Sequence, residues 1–285
     1  MWDQLTKVAD LSSHVYLAND RTVVDLYSED NMDNWKYEIL FNPFRINLFV
    51  NGELTTIVNN RDSLRYAPHT APHNTYTDGV DELIEGYEIA LGFTFSAENV
   101  YGLPQRAINT FSLKKNTQYH IFNQDYLNHP YGNEEPLYGN WPYITGHSAS
   151  MDASAVWMNA AETYVNIETL THPISNKPAT QVDFISVGGK FEFFMFGSTS
   201  GPKNNQKKLN TITGFAPLPP LHSLGFHYCK WEHNTAALLR DRNRDFDKYK
   251  FPVDVLWSDL YYTANMEYFI FNKQTWPQSE IELLN

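Results

Sequence analysis

The 285-residue sequence predicts a mainly β protein: an antiparallel β-sandwich over residues 36–215, preceded by a leading segment, 1–35, and followed by one β-α-β unit over 216–285. Three observations carry this expectation. Alternating apolar stretches flank an Asn51-Gly52 pair, the dipeptide most characteristic of a tight hairpin turn. The chain holds 18 Tyr, 18 Phe and 7 Trp, residues that favour pleated, half-buried strands. Beyond Pro217, Pro219 and Pro220, the short apolar runs give way to a segment with helical spacing.

Taken in order, the leading segment is polar and acidic around Glu29 to Asp33 and reads as a frayed or linking stretch. Ile46, Leu48 and Val50 alternate with outward positions, Asn51-Gly52 supplies the positive φ angles of a type I′ turn, and Leu54 to Val58 complete a hairpin. Short apolar segments follow, such as Ile89 to Phe95 and Ala155 to Met158, separated by loops rich in Asn, Pro, Gly and Tyr. A second hairpin is expected from Phe184 to Val187, through Gly188-Gly189, to Phe191 to Phe196. Gly201-Pro202 opens a polar stretch, Lys203 to Lys208, that marks the domain boundary together with the prolines. Ser223 to Cys229 reads as a strand. Asn234 then caps a helix from Thr235 to Tyr249, with Leu238, Leu239, Phe246 and Tyr249 largely on one side. Pro252 stops that helix, and Val253, Val255, Leu256 and Trp257 form the second strand of a parallel pair.

Composition excludes several function classes. The net charge of −12, from 33 acidic and 21 basic residues, gives no basic field for a phosphate backbone, so no nucleic acid partner is expected. No apolar run approaches the ~20 residues that span a bilayer, and Met1 is followed by Trp2, Asp3 and Gln4 rather than a basic, then apolar leader. A soluble chain with no membrane insertion and no export signal is the expectation. The single cysteine, Cys229, leaves the redox compartment open. No phosphate-cradling glycine loop or serine elbow occurs, and no cofactor is expected. His227 and His233 straddle a strand end and a helix start without the partners of a tetrahedral set, so no metal site is expected either.

Several separated motifs agree in order and spacing with one family. They are Phe41 to Asn60, Tyr101-Gly102-Leu103-Pro104, Leu137-Tyr138-Gly139, Trp157-Met158-Asn159-Ala160-Ala161-Glu162-Thr163, Thr213-Gly214, Pro217-Leu218-Pro219-Pro220-Leu221, Leu224-Gly225-Phe226-His227, Trp231 and Pro252 to Asp259. In this combination the chain resembles glycoside hydrolase family 31, and the Asn-Ala-Ala-Glu-Thr stretch resembles its glucosidase II branch. The resemblance implies a mutarotase-like β-sandwich followed by the start of a (β/α)8 barrel. It also implies an enzyme that removes terminal α-linked glucose with retention of configuration, and an endoplasmic reticulum lumen location. Partners would be an α-glucoside or glucose-containing oligosaccharide, and a noncatalytic subunit or the remaining barrel. A closed barrel takes ~250 residues, and about 70 follow the boundary. The resemblance places the two catalytic aspartates on later barrel strands, so no catalytic residue is expected within these 285 residues, and the chain alone is expected to be inactive.

Three substrate-binding residues follow. Asp259 stands at the carboxyl end of a strand, the face on which barrel active sites are built. The matching aspartate of the family bonds hydroxyls of the glucose in the −1 subsite; otherwise Asp259 caps the loop after the strand. Asp125, in Asn123-Gln124-Asp125, matches an aspartate on a sandwich loop that reaches the +1 sugar, although its flanking loop, Tyr126 to Glu135, equally suits a solvated turn. Trp231 lines the sugar pocket or fills core. Glu162 reads as a structural hydrogen-bond partner. The chain also departs from the glucosidase II pattern: Leu260-Tyr261-Tyr262 stands where Ile-Glu-His is usual, Ala264-Asn265 replaces Asp-Gly, Asn272 replaces an aspartate, and Gln105-Arg106 replaces Glu-His. These changes remove charge near the pocket and favour the alternative of a noncatalytic carbohydrate-binding or scaffold protein. A plain structural sandwich is the third reading.

Overall fold

A computed structural model describes residues 14–27, 33–72, 83–159 and 162–284, with the side chains of 68–72 and 83–86 outside the description. Met1 to Gln4, where no export leader is expected, most of the acidic stretch from Glu29, and Ala160-Ala161 lie outside the described residues. The chain forms two compact units, Met1–Gly214 and Phe215–Asn285.

In chain order the first unit contains β1 (Val15–Leu17), β2 (Arg21–Tyr27), β3 (Asn34–Phe41), β4 (Phe44–Val50), β5 (Glu53–Val58), β6 (Arg65–Pro72), β7 (Leu83–Phe95), β8 (Asn99–Gly102) and β9 (Thr117–Ile121). It continues with β10 (Tyr143–His147), β11 (Asp152–Trp157), β12 (Thr163–Thr171), β13 (Pro178–Ser186), β14 (Phe193–Ser198) and α1 (Pro202–Thr213). One sheet runs β1-β2-β3-β4-β5-β7-β13-β12-β9 with β6 on β7; the other runs β14-β11-β10-β8. All their pairings are antiparallel.

Period-two patterning explains the packing. Along β12, Thr163, Val165 and Ile167 are buried while Tyr164, Asn166 and Glu168 face outward. They meet Phe93 and Phe95 of β7, Val182 and Phe184 of β13, and, from the smaller sheet, Ile144, Ala155 and Trp157 in one cluster. Each fully buried side chain of this size contributes about 1.5–3 kcal/mol of transfer free energy. Trp157 stacks on Phe184 at 5.9 Å, and Phe93 meets Phe184 edge-on at 5.7 Å.

The expected Asn51-Gly52 hairpin is present, with φ of 49° and 82° at the two turn residues joining β4 to β5. Four expectations are corrected. Strands β1 and β2 extend the large sheet into the leading segment, because Val24 and Leu26 register against Tyr37 and Trp35 of β3. The second hairpin does not form: β13 pairs with β12 and β7 whereas β14 pairs with β11, so Gly188-Gly189 carries the chain from one sheet to the other. The polar stretch Lys203 to Lys208 belongs to helix α1, which buries Asn205 and Leu209 one turn apart. Asn205 Nδ2 donates to Asp152 O at 3.1 Å and Ser154 Oγ at 3.0 Å, replacing the apolar contacts that sequence patterning looks for.

The fourth correction concerns the second unit, which contains β15 (His227–Cys229), α2 (Ala236–Tyr249), β16 (Val255–Trp257), β17 (Thr263–Ala264), β18 (Glu267–Phe271) and α3 (Gln278–Ile281). The strand expected from Ser223 begins only at His227, because Leu221–Leu224 is a 3-10 turn. Thr235, not Asn234, caps α2, its side chain accepting from Leu238 N at 3.1 Å. Leu239 is buried as expected, but Tyr249 is exposed. The β-α-β unit is present, with His227 to Cys229 parallel to Val255 to Trp257. Its buried cluster is Ala236, Leu239 and Trp276. Among the described residues no helix is long and apolar enough to cross a membrane.

Phe93 has no exposure and Phe111 has 94%. Phe93→Ala is expected to destabilise the chain by about 3–5 kcal/mol in urea unfolding. Phe111→Ala should change it by less than ~0.5 kcal/mol. Equal effects would contradict the core assignment.

Candidate functional site

In the first unit the site segment follows β9 and runs from Phe122 to Pro142 as polar loop. A loop without a core must satisfy its backbone with side chains, and here a few do most of it. The Arg106 guanidinium donates to Leu103 O at 3.1 Å and also to Glu134 O and His120 O. Burial pulls its pKa below the usual arginine value, though an arginine stays charged throughout the working range. Gln105 exchanges backbone bonds with Leu137 and Gly139, and its side-chain oxygen accepts from Gly139 N at 3.1 Å. Asn140 Nδ2 donates to Phe122 O at 2.7 Å and Leu137 O at 3.1 Å. Gln105 and Arg106 are therefore the clamps of the loop that carries Asp125.

Asp125 is exposed on that loop, and its Oδ1 accepts the Tyr138 hydroxyl at 2.5 Å. The hydrogen bond to Asp125 pushes the Tyr138 phenol above its ordinary pKa, with burial and the carboxylate charge adding in the same direction. The His129 ring lies edge-on to Tyr138 at 5.5 Å. Glu162 takes the structural role expected of it: His120 Nε2 approaches its Oε1 at 2.6 Å and Tyr164 OH donates at 3.3 Å. His120 in turn stacks between Phe122 and Tyr164 at 5.3 and 4.6 Å.

In the second unit, Asp259 stands two residues past β16, at the carboxyl end of the strand. It is half-buried, and its Oδ1 accepts Leu260 N at 2.7 Å, capping the 3-10 turn Leu260–Tyr262. No Lys or Arg forms an ion pair with it among the described residues. Trp231, at 63% exposure, is not core. Its ring lies 6.3 Å from Tyr261, and with Asn234, Thr235, Asn272 and Thr275 these two rings line a pocket of about 370 Å³. Asp259 is beside this pocket in sequence but not among its lining residues. Trp257 occupies both nearby histidines: its Nε1–H donates to His227 Nδ1 at 2.9 Å, and its carbonyl takes the Nδ1–H of His233 at 3.2 Å. Trp231 and Asp259 thus share one strand-end region, whereas Asp125 belongs to the other unit. Sequence reasoning missed Tyr138 and Asn140 as functional parts; the Leu137-Tyr138-Gly139 motif was the available signal for Tyr138.

Comparison with known proteins identifies the frame for these residues. Residues 12–166 match the glycosyl hydrolase 31 N-terminal galactose mutarotase-like domain, and residues 216–285 match the glycosyl hydrolases family 31 TIM-barrel domain. The chain belongs to glycoside hydrolase family 31. It is 32% identical over 198 residues to neutral alpha-glucosidase AB of Dictyostelium discoideum, covering 66% of this chain and 20% of that protein. It is 26% identical over 270 residues to the glucosidase 2 subunit alpha of Schizosaccharomyces pombe, covering 86% and 29%. Among solved structures, a glucosidase II alpha subunit bound to alpha3-Glc2 superposes with a TM-score of 0.79 at 25% identity, over 95% of this chain and 32% of that one. An ER glucosidase II heterodimer of a catalytic subunit and the binding domain of a regulatory subunit shares the fold, with a TM-score of 0.77 at 24% identity. The chain spans less than a third of the length of these relatives.

A phenol bonded to a carboxylate holds its proton more tightly, so removing the carboxylate must lower the phenol pKa. Asp125→Ala is expected to shift the Tyr138 titration toward the ordinary ~10, read by tyrosinate absorbance with Tyr138→Phe as the difference reference. An unmoved titration would separate Asp125 from Tyr138.

Proposed function

We propose that this chain forms the sugar-gripping portion of a retaining α-glucosidase of the glucosidase II type, acting on terminal α-linked glucose in the endoplasmic reticulum lumen. One observation carries the reading: a parallel β-α-β unit whose second strand delivers Asp259 at its carboxyl end, next to a pocket walled by Trp231. Active sites of (β/α)8 barrels are built on that face. In this reading the Leu260 N–H orients the Asp259 carboxylate through Oδ1, leaving Oδ2 to accept glucose hydroxyls. Trp231 offers a ring face to the sugar, worth ~0.5–1.5 kcal/mol beyond area burial. Asp125, steadied by Tyr138, is the residue of the first unit that contacts the neighbouring sugar in this reading.

Retention takes two carboxyl groups ~5–5.5 Å apart, one attacking the anomeric carbon and one protonating the leaving oxygen. The proposal assigns both to barrel strands outside these 285 residues and none to Asp125 or Asp259. A regulatory subunit, of the kind present in the glucosidase II heterodimer, is the proposed protein partner. A second reading, a noncatalytic carbohydrate-binding or scaffold protein, draws on the capping bond that already engages Asp259 and on Leu260-Tyr261-Tyr262, which place no charge beside the pocket.

The purified chain is expected to release no chromophore from an aryl α-glucoside, while binding methyl α-glucoside weakly. Hydrogen bonds to a charged group contribute about 1.5–3 kcal/mol, so Asp259→Ala should weaken methyl α-glucoside binding roughly 10- to 150-fold, and Asp125→Ala should weaken binding of the disaccharide maltose by a similar factor. Turnover that Asp259→Ala abolishes would overturn the division of labour, and binding indifferent to both substitutions would overturn the site.

A further inference from the structure

The sandwich carries a cavity of ligand size whose lining does not include Asp125. It has a volume of about 410 Å³ and lies on the outward face of the smaller sheet, between β8, β10 and the first turn of α1. This is within the ~300–1,000 Å³ of small-molecule sites. Its lining includes Tyr101, Tyr143, Thr145, His147 and Gln206, and no Lys, Arg, Asp or Glu.

The lining is held by a buried polar network. Asp152, whose side chain is 3% exposed, receives the His147 ring: Nδ1 and Oδ1 are 2.5 Å apart. A carboxylate only accepts, so His147 Nδ1 carries the hydrogen, and Nε2 is the nitrogen available to the cavity. Ser154, fully buried, bonds Tyr143 OH at 3.0 Å and Thr145 Oγ1 at 2.8 Å, and itself accepts from the fully buried Asn205 Nδ2 at 3.0 Å. Asn205 also holds the Asp152 carbonyl, so α1 fixes both anchors of the network. The Tyr101 ring stands edge-on to His147 at 6.2 Å. Side chains locked by such buried partners are pre-organised for recognition, which loop side chains are not.

We propose that this cavity is a noncatalytic saccharide-binding site, distinct from and independent of the Asp125–Asp259 reading. The uncharged lining gives no counter-ion to an anion, and the one carboxylate nearby is already covered by His147, which disfavours a cation. A neutral polyhydroxylated ring suits what remains. Its hydroxyls donate to His147 Nε2 and to the Tyr143 and Thr145 oxygens, the Gln206 amide both donates and accepts, and Tyr101 offers an apolar ring edge or face to the sugar C–H groups.

The test uses the whole 285-residue chain carrying Asp125→Ala and Asp259→Ala, which removes the other proposed site, and maltotriose as the probe in saturation-transfer NMR and calorimetric titration. Maltotriose binding is expected to persist in this background. His147→Ala and Gln206→Ala should each weaken it about tenfold, and the pair should abolish it. Gln206 is exposed on α1, so its substitution leaves the fold intact and keeps the test valid if His147→Ala unfolds the sheet. No binding in the double-alanine background, or binding indifferent to both further substitutions, overturns the proposal. Either result leaves the Asp125–Asp259 reading standing, because that reading is judged by methyl α-glucoside and maltose binding in the chain carrying Gln206→Ala, where the cavity is weakened and Asp125 and Asp259 are intact.

Discussion

The first unit depends on one hydrogen bond made inside its core. Trp157 is fully buried between the sheets, and its indole N–H, a group that can only donate, would cost about 1–3 kcal/mol if left without an acceptor. It finds Ser186 Oγ at 3.0 Å, and Ser186 shares the same oxygen with Thr163 Oγ1 at 2.6 Å. Three strands, β11 of one sheet and β12 and β13 of the other, are thereby held in one register by groups that tolerate no slip. A one-residue shift in any of them would turn its hydroxyl or indole to the wrong face. Hydrophobic area alone would not discriminate so sharply, since the stacked and edge-on rings around Phe184 tolerate sliding better than a directional bond does.

That register propagates to the motif between β11 and β12. Asn159 Nδ2 donates to Gly188 O at 2.8 Å, tying the start of the motif to the crossover between sheets. A side chain on Gly189 would lie within bonding distance of the Asn159 amide, and its φ of 92° belongs to the left-handed region, so glycine is needed there on both counts. Glu162, at the other end, fixes His120, and the His120 carbonyl is one of the acceptors of Arg106. The chain of contacts therefore runs from a core tryptophan to the clamp of the Asp125 loop. It explains why a loop that buries so little apolar surface is ordered at all.

The sequence was readable where structure is decided locally. Asn51-Gly52 specifies its own turn, and Asp259 follows an apolar strand closely enough to be placed at its end. Gly188-Gly189 was misread because positive φ at two glycines serves a hairpin and a sheet-to-sheet crossover alike. The choice is made by Phe93, which packs edge-on against both Phe184 and Phe193 and so draws the following strand across the core. Helix α1 was hidden because its buried face is partly polar, Asn205 satisfying two acceptors where a leucine would be expected. Gln105 and Arg106 were noticed only as departures. Their work is to bond backbone groups, Gln105 the Gly139 N–H and Arg106 three carbonyls, and a backbone group leaves no trace in a side-chain pattern.

The second unit solves the positioning problem differently. Its parallel ladder joins only three residues of each strand, too few to fix a strand end by themselves. Tertiary bonds add to it, several of them involving Trp257 or the segment ending at Trp276. His233, next to the Trp231 loop, is tied to the Trp257 carbonyl, and the Trp257 indole is tied back to His227 at the start of β15. Ala236 N donates to Thr275 O and Trp276 N to Asn272 O, which draws the first turn of α2 and the loop after β18 around the same pocket. Two of these anchors, Asn272 and Thr275, are also pocket-lining residues. Support and recognition surface therefore come from the same residues in this unit, the support through main-chain carbonyls, whereas in the sandwich the clamps are the side chains of Gln105 and Arg106, outside the loop they hold. A side-chain substitution at Asn272 therefore acts on the recognition surface, while the main-chain carbonyl that supports the loop stays in place.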